Sequence, residues 1–83
     1  MSVYRVNKLM FDLQMQPGLG DEFKRDFAAV AARYGLTDEE ARALRDVDAT
    51  TLSRLGAQPY LLRFYTVQQG MGNDEFIRQL ELA

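Results

Sequence analysis

The chain has neither cysteine nor histidine among its 83 residues, and this absence constrains how it can fold. Without cysteine there is no disulfide to hold a small domain together. Without either residue, the usual ligands of structural zinc are also missing. A hydrophobic core must therefore stabilise the fold, and 83 residues lie near the small end of what one core can support. The hydrophobic fraction of 47% is typical of a folded protein, so we predict a single domain over residues 1–83.

The same absence limits the chemistry open to the chain. Histidine is the commonest general base near neutral pH and the usual activator of a catalytic serine or cysteine. The hydroxyls of Thr50, Thr51 and Ser53 have no such activator. Acidic residues cluster at positions 21–22, 38–40 and 74–75, where first helical turns are expected to stabilise them through the helix dipole. The sequence therefore predicts a binding protein with no metal or cofactor of its own.

Charge and hydropathy narrow the partners and the location. The formal net charge is −2, and the ten basic residues are scattered along the chain, so no nucleic-acid-binding face is predicted. No apolar run approaches the roughly 18–20 residues of a membrane span. The first residues do not form a signal-peptide pattern, because Arg5 and Lys8 interrupt the apolar positions. We expect a cytoplasmic protein that contacts neither membrane nor nucleic acid.

Apolar residues repeat at spacings of three and four, which predicts amphipathic helices. A first helix ends at Gln16-Pro17-Gly18, since proline disfavours helix in the residue before it. A second helix is predicted over about residues 20–34, with Gly35 as a left-handed C-terminal cap. The two inner stripes consist of Val3, Val6, Met10 and Leu13, and of Phe23, Phe27, Val30 and Tyr34.

Capping residues mark the later boundaries. Thr37 and Glu40 have the spacing of a capping box, and the helix they begin directs Ala41 and Leu44 inward. Asp48 is expected to cap a short helix that carries Leu52 and Leu55 and ends at Gly56.

The apolar run over residues 60–67 fits a buried strand or a central helix by periodicity alone. Pro59 before it and Gly70 after it favour a helix. Asn73 is predicted to cap a last helix with Phe76, Ile77 and Leu80 on its inner side. The expected fold is all-α: a compact orthogonal bundle of five to six short helices.

Two segments are candidates for partner binding. Tyr60, Arg63 and Phe64 belong to the densest aromatic cluster, which we divide between core and partner surface because tyrosine and arginine are common interface residues. Gly70-Met71-Gly72-Asn73 is an interhelical hinge. It only superficially resembles a phosphate loop, since no strand precedes it and neither a third glycine nor a lysine follows.

The order and spacing of several short motifs resemble the small (alpha) subunit of protocatechuate 4,5-dioxygenase, the LigA family, over essentially the whole chain. The motifs are Tyr4-x-x-Asn7, Glu22-Phe23-Lys24, Tyr34-x-Leu36-Thr37, Asp48, Gly56-x-x-x-Tyr60-x-Leu62 and Gly70.

This resemblance implies an all-helical, non-catalytic subunit that packs on a large (beta) subunit and helps to cover its active site. The large subunit would hold Fe(II) and cleave the aromatic ring beside a pair of hydroxyls. By position, the Tyr60 helix and the loop at residues 70–73 would lie nearest the partner's pocket. The chain departs from the family pattern in having Phe64 where a lysine is expected and no aromatic residue in the loop after Gly70. A stand-alone family member is therefore a second interpretation.

Two further hypotheses remain open. A similar helical domain serves as the recognition leader of peptides whose backbone is modified by an N-methyltransferase, although only Leu82-Ala83 follow the last predicted helix here. Alternatively, the chain is a homo-oligomer, most simply a symmetric homodimer, whose apolar surface is covered by its own copies.

Overall fold

Seven α-helices form the regular structure of residues 2–83, the part of the chain that the computed structural model describes, with side chains described from Tyr4 onward. The helices are α1 (Ser2–Met15), α2 (Pro17–Arg25), α3 (Phe27–Arg33), α4 (Asp38–Arg45), α5 (Ala49–Leu55), α6 (Pro59–Gln68) and α7 (Asn73–Glu81). The all-α prediction is confirmed, with seven helices instead of five or six. The side chain of Val3, expected on the inner stripe of α1, lies outside the described part.

The additional helix arises because the segment predicted as one helix over about residues 20–34 is two. The backbone of Asp26 leaves the helical region (φ −144°, ψ 72°), and its carboxylate accepts the Ala29 N–H at 3.2 Å as the cap of α3. The apolar stripe nevertheless continues across the break, since the rings of Phe23 and Phe27 meet edge to face at 5.1 Å. Periodicity alone therefore merged two helices whose inner faces are aligned.

The start of α2 also differs from the prediction. Pro17 occupies its first turn, so Asp21 and Glu22 lie beyond the positive end of the helix dipole. Glu22 instead forms an ion pair with Arg33 of α3, in which Glu22 Oε1 lies 2.9 Å from Arg33 Nη2. The predicted first-turn position of this acidic pair is wrong, whereas the acidic clusters at residues 38–40 and 74–75 do lie in the first turns of α4 and α7.

Most of the predicted helix ends are confirmed. The Thr37 hydroxyl accepts the Glu40 N–H at 3.1 Å, and the Glu40 carboxylate accepts the Thr37 N–H at 2.8 Å. Gly56 ends α5 in the left-handed conformation with φ 100°. Gly35 is left-handed too (φ 67°), and a Cβ built there would lie 2.8 Å from Arg5 Nη1, which donates a hydrogen bond to the Gly35 carbonyl. The Gly35 turn therefore fixes the region between α3 and α4 against α1.

The predicted cap of the last helix is wrong. Gly72 is the N-cap residue, with an extended backbone (φ −72°, ψ 161°) and no side chain to offer, and Asn73 is the first helical residue. Phe76 is buried and Leu80 packs against the core as expected, but Ile77 is 48% exposed.

The core is organised around Tyr65 of α6. Its hydroxyl donates a 2.6 Å hydrogen bond to the Leu44 carbonyl at the end of α4, and its ring meets Phe23 edge to face at 6.1 Å. The other buried apolar side chains include Val6, Leu9, Met10 and Leu13 of α1, Val30 of α3, Leu52 of α5 and Leu62 of α6. This centre holds α6 in place and so determines which of its residues face outward.

Helices α1 and α6 run side by side in the same direction. At one end, the Asn7 side chain accepts the Gln58 N–H at 2.9 Å, and at the other the Gln68 side chain donates to the Leu13 carbonyl at 3.5 Å. The segment from Asn7 to Leu13 of α1 thus lies alongside the segment from Gln58 to Gln68, which includes α6. The two helices are therefore neighbours that run in the same direction between these two contacts.

The cap of α5 makes stability depend on pH. Burial by itself would raise the pKa of Asp48, but hydrogen bonds from the Thr51 N–H, the Thr51 hydroxyl and the Arg42 guanidinium outweigh burial and lower it below its usual value. A carboxylate whose pKa is lowered by folding stabilises the folded state above the unfolded-state pKa of about 4. That contribution is lost as the pH falls through the lower folded-state pKa.

We therefore expect Asp48→Asn to reduce stability at pH 7 and to matter less at pH 3. Asparagine still offers a side-chain oxygen to cap α5, but it cannot carry the charge that Arg42 faces. Urea unfolding of both proteins at the two pH values measures the difference. An unchanged gap between wild type and variant at pH 3 would contradict this role of the ionised carboxylate.

Candidate helical interaction surface

The outer side of α6 exposes a row of apolar residues, here called the α6 outer stripe: Tyr60, Phe64 and Val67. Tyr60 is 66% exposed and Val67 53% exposed, while Phe64 is half-buried. Their spacing of four and three residues places them on one face of the helix. That face lies opposite Leu62, Tyr65 and Thr66, which are buried. Two of the predicted partner-binding residues, Tyr60 and Phe64, are thus on the same exposed stripe.

Arg63, the third predicted residue on this helix, has a partly intramolecular role. Its guanidinium carbon lies 4.9 Å from the centre of the Phe76 ring, so the cation stacks on α7. Its Nη1 is buried and has no hydrogen-bond partner among the described residues. Arg63 therefore helps to join α6 to α7 along the edge of the α6 outer stripe.

The predicted loop at residues 70–73 lies at the other end of α6 from Tyr60. Gln68 is eight positions after Tyr60, which corresponds to about 12 Å along a helix axis. Gly70, Gly72 and Asn73 are exposed, and Gly70 is left-handed with φ 87°. Met71 turns back toward the protein, where its N–H donates to the Thr66 carbonyl at 2.9 Å and its side chain packs on the core. The loop and Tyr60 thus mark the two ends of one helix.

A second exposed stripe, on α1, was not recognised in the sequence. Tyr4 is 67% exposed, Phe11 46% and Met15 60%. These three residues, here called the α1 outer stripe, lie opposite Val6, Leu9 and Leu13, which are buried. The signal was available, because α1 has apolar residues on two faces. The inner stripe alone was enough to predict the helix, so the outer one went unnoticed.

The two outer stripes lie next to each other. Because α1 and α6 are parallel neighbours joined at the Asn7–Gln58 and Leu13–Gln68 contacts, their outward sides border one another. In this register, the middle of α1 near Phe11 is level with the middle of α6 near Phe64. Together they form what we call the two-helix face, defined by Tyr4, Phe11, Met15, Tyr60, Phe64 and Val67.

A cleft lies beside this face, between the end of α1, the start of α2 and the end of α3. It has a volume of about 690 Å³, and Met15, Leu19, Glu22, Arg33 and Tyr34 are among its walls. Its polar groups are already paired, Glu22 with Arg33 and the Tyr34 hydroxyl with the buried Asp12 carboxylate at 2.6 Å. Burial, followed by this hydrogen bond, raises the pKa of Tyr34 to about 12. Tyr34 therefore remains protonated at neutral pH and is not poised as a base.

Among the described residues, no group of three or more histidine, cysteine, aspartate or glutamate side chains could hold a metal ion. None of the described helices is long and apolar enough to cross a membrane. The described surface thus presents apolar helix faces for contact, and its charged side chains are largely engaged in caps and ion pairs.

These features define a small, all-helical domain with exposed apolar helix faces. Comparison with models of protein families identifies the family to which the domain belongs. The family model described as "Aromatic-ring-opening dioxygenase LigAB, LigA subunit" matches residues 6–80, so the chain belongs to the LigA family. The resemblance seen in the sequence is thereby confirmed. Comparisons with curated proteins and with solved structures gave no significant match.

Proposed function

We propose that the chain is the small subunit of an aromatic-ring-opening dioxygenase and binds a catalytic large subunit through the two-helix face. Membership of the LigA family supports the subunit role. The binding surface is inferred from the exposure of Tyr60, which is 66% exposed on a helix whose opposite side is buried in the core. A large aromatic side chain held outward on a rigid helix is a typical anchor of a protein interface.

In this proposal the two subunits divide the work. The large subunit holds Fe(II) and opens the aromatic ring beside a pair of hydroxyls, since this chain has no histidine or cysteine to serve as a ligand. The small subunit supplies helical surface that covers the active site and keeps water out of it. The expected cellular location remains the cytoplasm.

The α6 outer stripe would make the first contact, with Tyr60 and Phe64 entering pockets on the large subunit. Arg63 would border this contact, because its stacking on Phe76 holds the guanidinium at the edge of the stripe. The loop at residues 70–73 would reach the partner from the far end of α6. Its exposed backbone at Gly70, Gly72 and Asn73 allows close approach.

Co-expression with candidate large subunits tests the proposal. We expect a stable complex whose ring-opening activity on dihydroxylated aromatic substrates requires Fe(II) and exceeds that of the large subunit alone. The small chain alone should be inactive. The proposal is wrong if the chain stays free of every large subunit tested and leaves their activity unchanged.

Light scattering on the isolated chain tests the homo-oligomer hypothesis separately. A small subunit that awaits its partner is expected to be a monomer. A stable dimer of the isolated chain that persists when a large subunit is added would favour self-association as its role.

A further inference from the structure

Exposed large apolar side chains are concentrated on two of the seven helices. From Tyr4 onward, seven such residues are exposed, and five of them belong to α1 and α6: Tyr4, Phe11, Met15, Tyr60 and Val67. Ile77 lies on α7, and Leu82 follows it. This distribution is not that of scattered surface residues, because the two helices that carry it are neighbours and run in parallel.

The size of the two-helix face is suitable for a specific interface. The exposed parts of its side chains amount to roughly 500 Å², taking about 150–250 Å² for a whole aromatic side chain. That is near the upper end of the largest apolar patch on a typical monomer, about 300–600 Å². With a polar rim, it approaches the roughly 800 Å² that each partner buries in a standard protein–protein interface.

The rim of the face is basic although the protein is acidic. The chain has ten basic and twelve acidic residues. Helices α1 and α6 contain three of the basic residues, Arg5, Lys8 and Arg63, and one of the acidic residues, Asp12. These two helices are thus +2 and the remainder of the chain is −4. Asp12 is only 6% exposed, and its Oδ1 pairs with Lys8 Nζ at 3.2 Å, so the uncompensated positive charge of the two helices is that of Arg5 and Arg63.

The positions of the basic residues place them at the edges of the apolar stripes. Lys8 lies four residues after Tyr4 and three before Phe11, and its side chain is 49% exposed while its ammonium pairs with Asp12 on the same helix. Arg63 lies three residues after Tyr60, and Arg5 is exposed on α1, where its guanidinium donates to the Gly35 carbonyl. The apolar face is therefore bordered by positive charge on both of its helices.

We infer that the two-helix face binds a different protein chain, one whose contact surface is an apolar groove with an acidic rim. This inference rests on the proposed function and specifies the partner's chemistry and the participation of α1. A second copy of the chain fits the face poorly. A two-fold dimer would set the same basic rim against itself, and like charges across an interface are repulsive.

Charge reversal with a matched control tests the inference. We would measure the affinity of the large subunit for wild type, Arg5→Glu and Arg45→Glu at about 0.05 M and about 0.5 M sodium chloride. Both arginines are exposed, but Arg45 lies on α4, away from the face. Because Arg5 also donates to the Gly35 carbonyl, urea unfolding of each variant checks that the fold is intact. We expect Arg5→Glu to weaken binding by about tenfold at low salt and much less at high salt, with Arg45→Glu within about twofold of wild type.

A neutral variant tests the contribution of α1 without a change of charge. Phe11→Ala removes an exposed ring and is expected to weaken binding about tenfold at both salt concentrations. Equal affinities of Arg5→Glu and Arg45→Glu would overturn the acidic rim, and wild-type affinity of Phe11→Ala would overturn the role of α1. In both cases the proposed function would stand. If the wild-type chain itself does not bind the large subunit, the proposed function fails as well. If the wild-type chain is a dimer that Phe11→Ala converts to a monomer, the face binds a second copy of the chain.

Discussion

Replacing Tyr65 with alanine is expected to leave the isolated chain largely unfolded at 25 °C. The residue is 1% exposed, contacts Phe23 edge to face and donates a 2.6 Å hydrogen bond to the Leu44 carbonyl. Removing a buried aromatic ring costs about 3–5 kcal/mol. A core of this size rarely supplies more than about 3–5 kcal/mol, so the loss equals most of the free energy of unfolding. Far-UV circular dichroism and urea unfolding measure the outcome.

The matched variant Tyr65→Phe separates the hydroxyl from the ring. It keeps the ring that fills the core and removes only the hydrogen bond, which we expect to cost about 1 kcal/mol. The Leu44 carbonyl keeps a partner in this variant, because it also accepts the Val47 N–H at 3.2 Å. A folded Tyr65→Ala protein with nearly wild-type stability would show that α6 is not held by this residue.

The second large effect is expected on partner binding. Replacing Tyr60 with alanine should weaken the complex with the large subunit by about 30-fold, which corresponds to a hot-spot loss of about 2 kcal/mol. Because Tyr60 is 66% exposed in the isolated chain, its truncation should leave the free energy of unfolding almost unchanged. Calorimetric titration of the large subunit with each variant gives the affinities, and urea unfolding gives the stabilities.

Ile77→Ala is the control for this experiment. Ile77 is also an exposed large apolar residue, at 48%, but it lies on α7 and outside the two-helix face. We expect its affinity for the large subunit to stay within about twofold of wild type. Equal losses from Tyr60→Ala and Ile77→Ala would mean that the partner does not distinguish the α6 outer stripe from the rest of the apolar surface.

Local chemistry explains why so much of the fold was predictable. The Thr37–Glu40 capping box, the Asp48 cap and the Gly56 stop depend on residues within three or four positions of one another. Such contacts form wherever the helix forms, so the sequence carries them directly. The apolar run in α6 was likewise assigned to a helix from its flanking residues, Pro59 before it and Gly70 after it.

The errors arose where neighbouring helices or backbone geometry decide the outcome. Asp26 interrupts a stripe that remains continuous because Phe23 and Phe27 still pack together. Gly72 caps α7 in place of Asn73 through its backbone alone. Val47 adopts the left-handed conformation (φ 52°), which is rare for a β-branched residue, while packing against the core. No pattern of residue types within this one sequence predicts that choice.

Only the part of the candidate surface that lies on a single helix was predictable from the sequence. Tyr60 and Phe64 follow from the aromatic content of one helix. The α1 outer stripe becomes meaningful only once α1 is known to lie parallel to α6. Likewise, the stacking of Arg63 on Phe76 joins residues on separate helices. These relations depend on how the helices pack, which short-range patterns do not specify.

The most direct test of the central claim is the ring-opening activity of a large subunit titrated with this chain. With the large subunit held well below the dissociation constant of the complex, we expect Fe(II)-dependent activity to rise and saturate as the chain is added, and Tyr60→Ala to require about 30-fold more chain for half-maximal activity. Activity of the large subunit that is the same with and without the chain, together with no complex between them, would contradict the account.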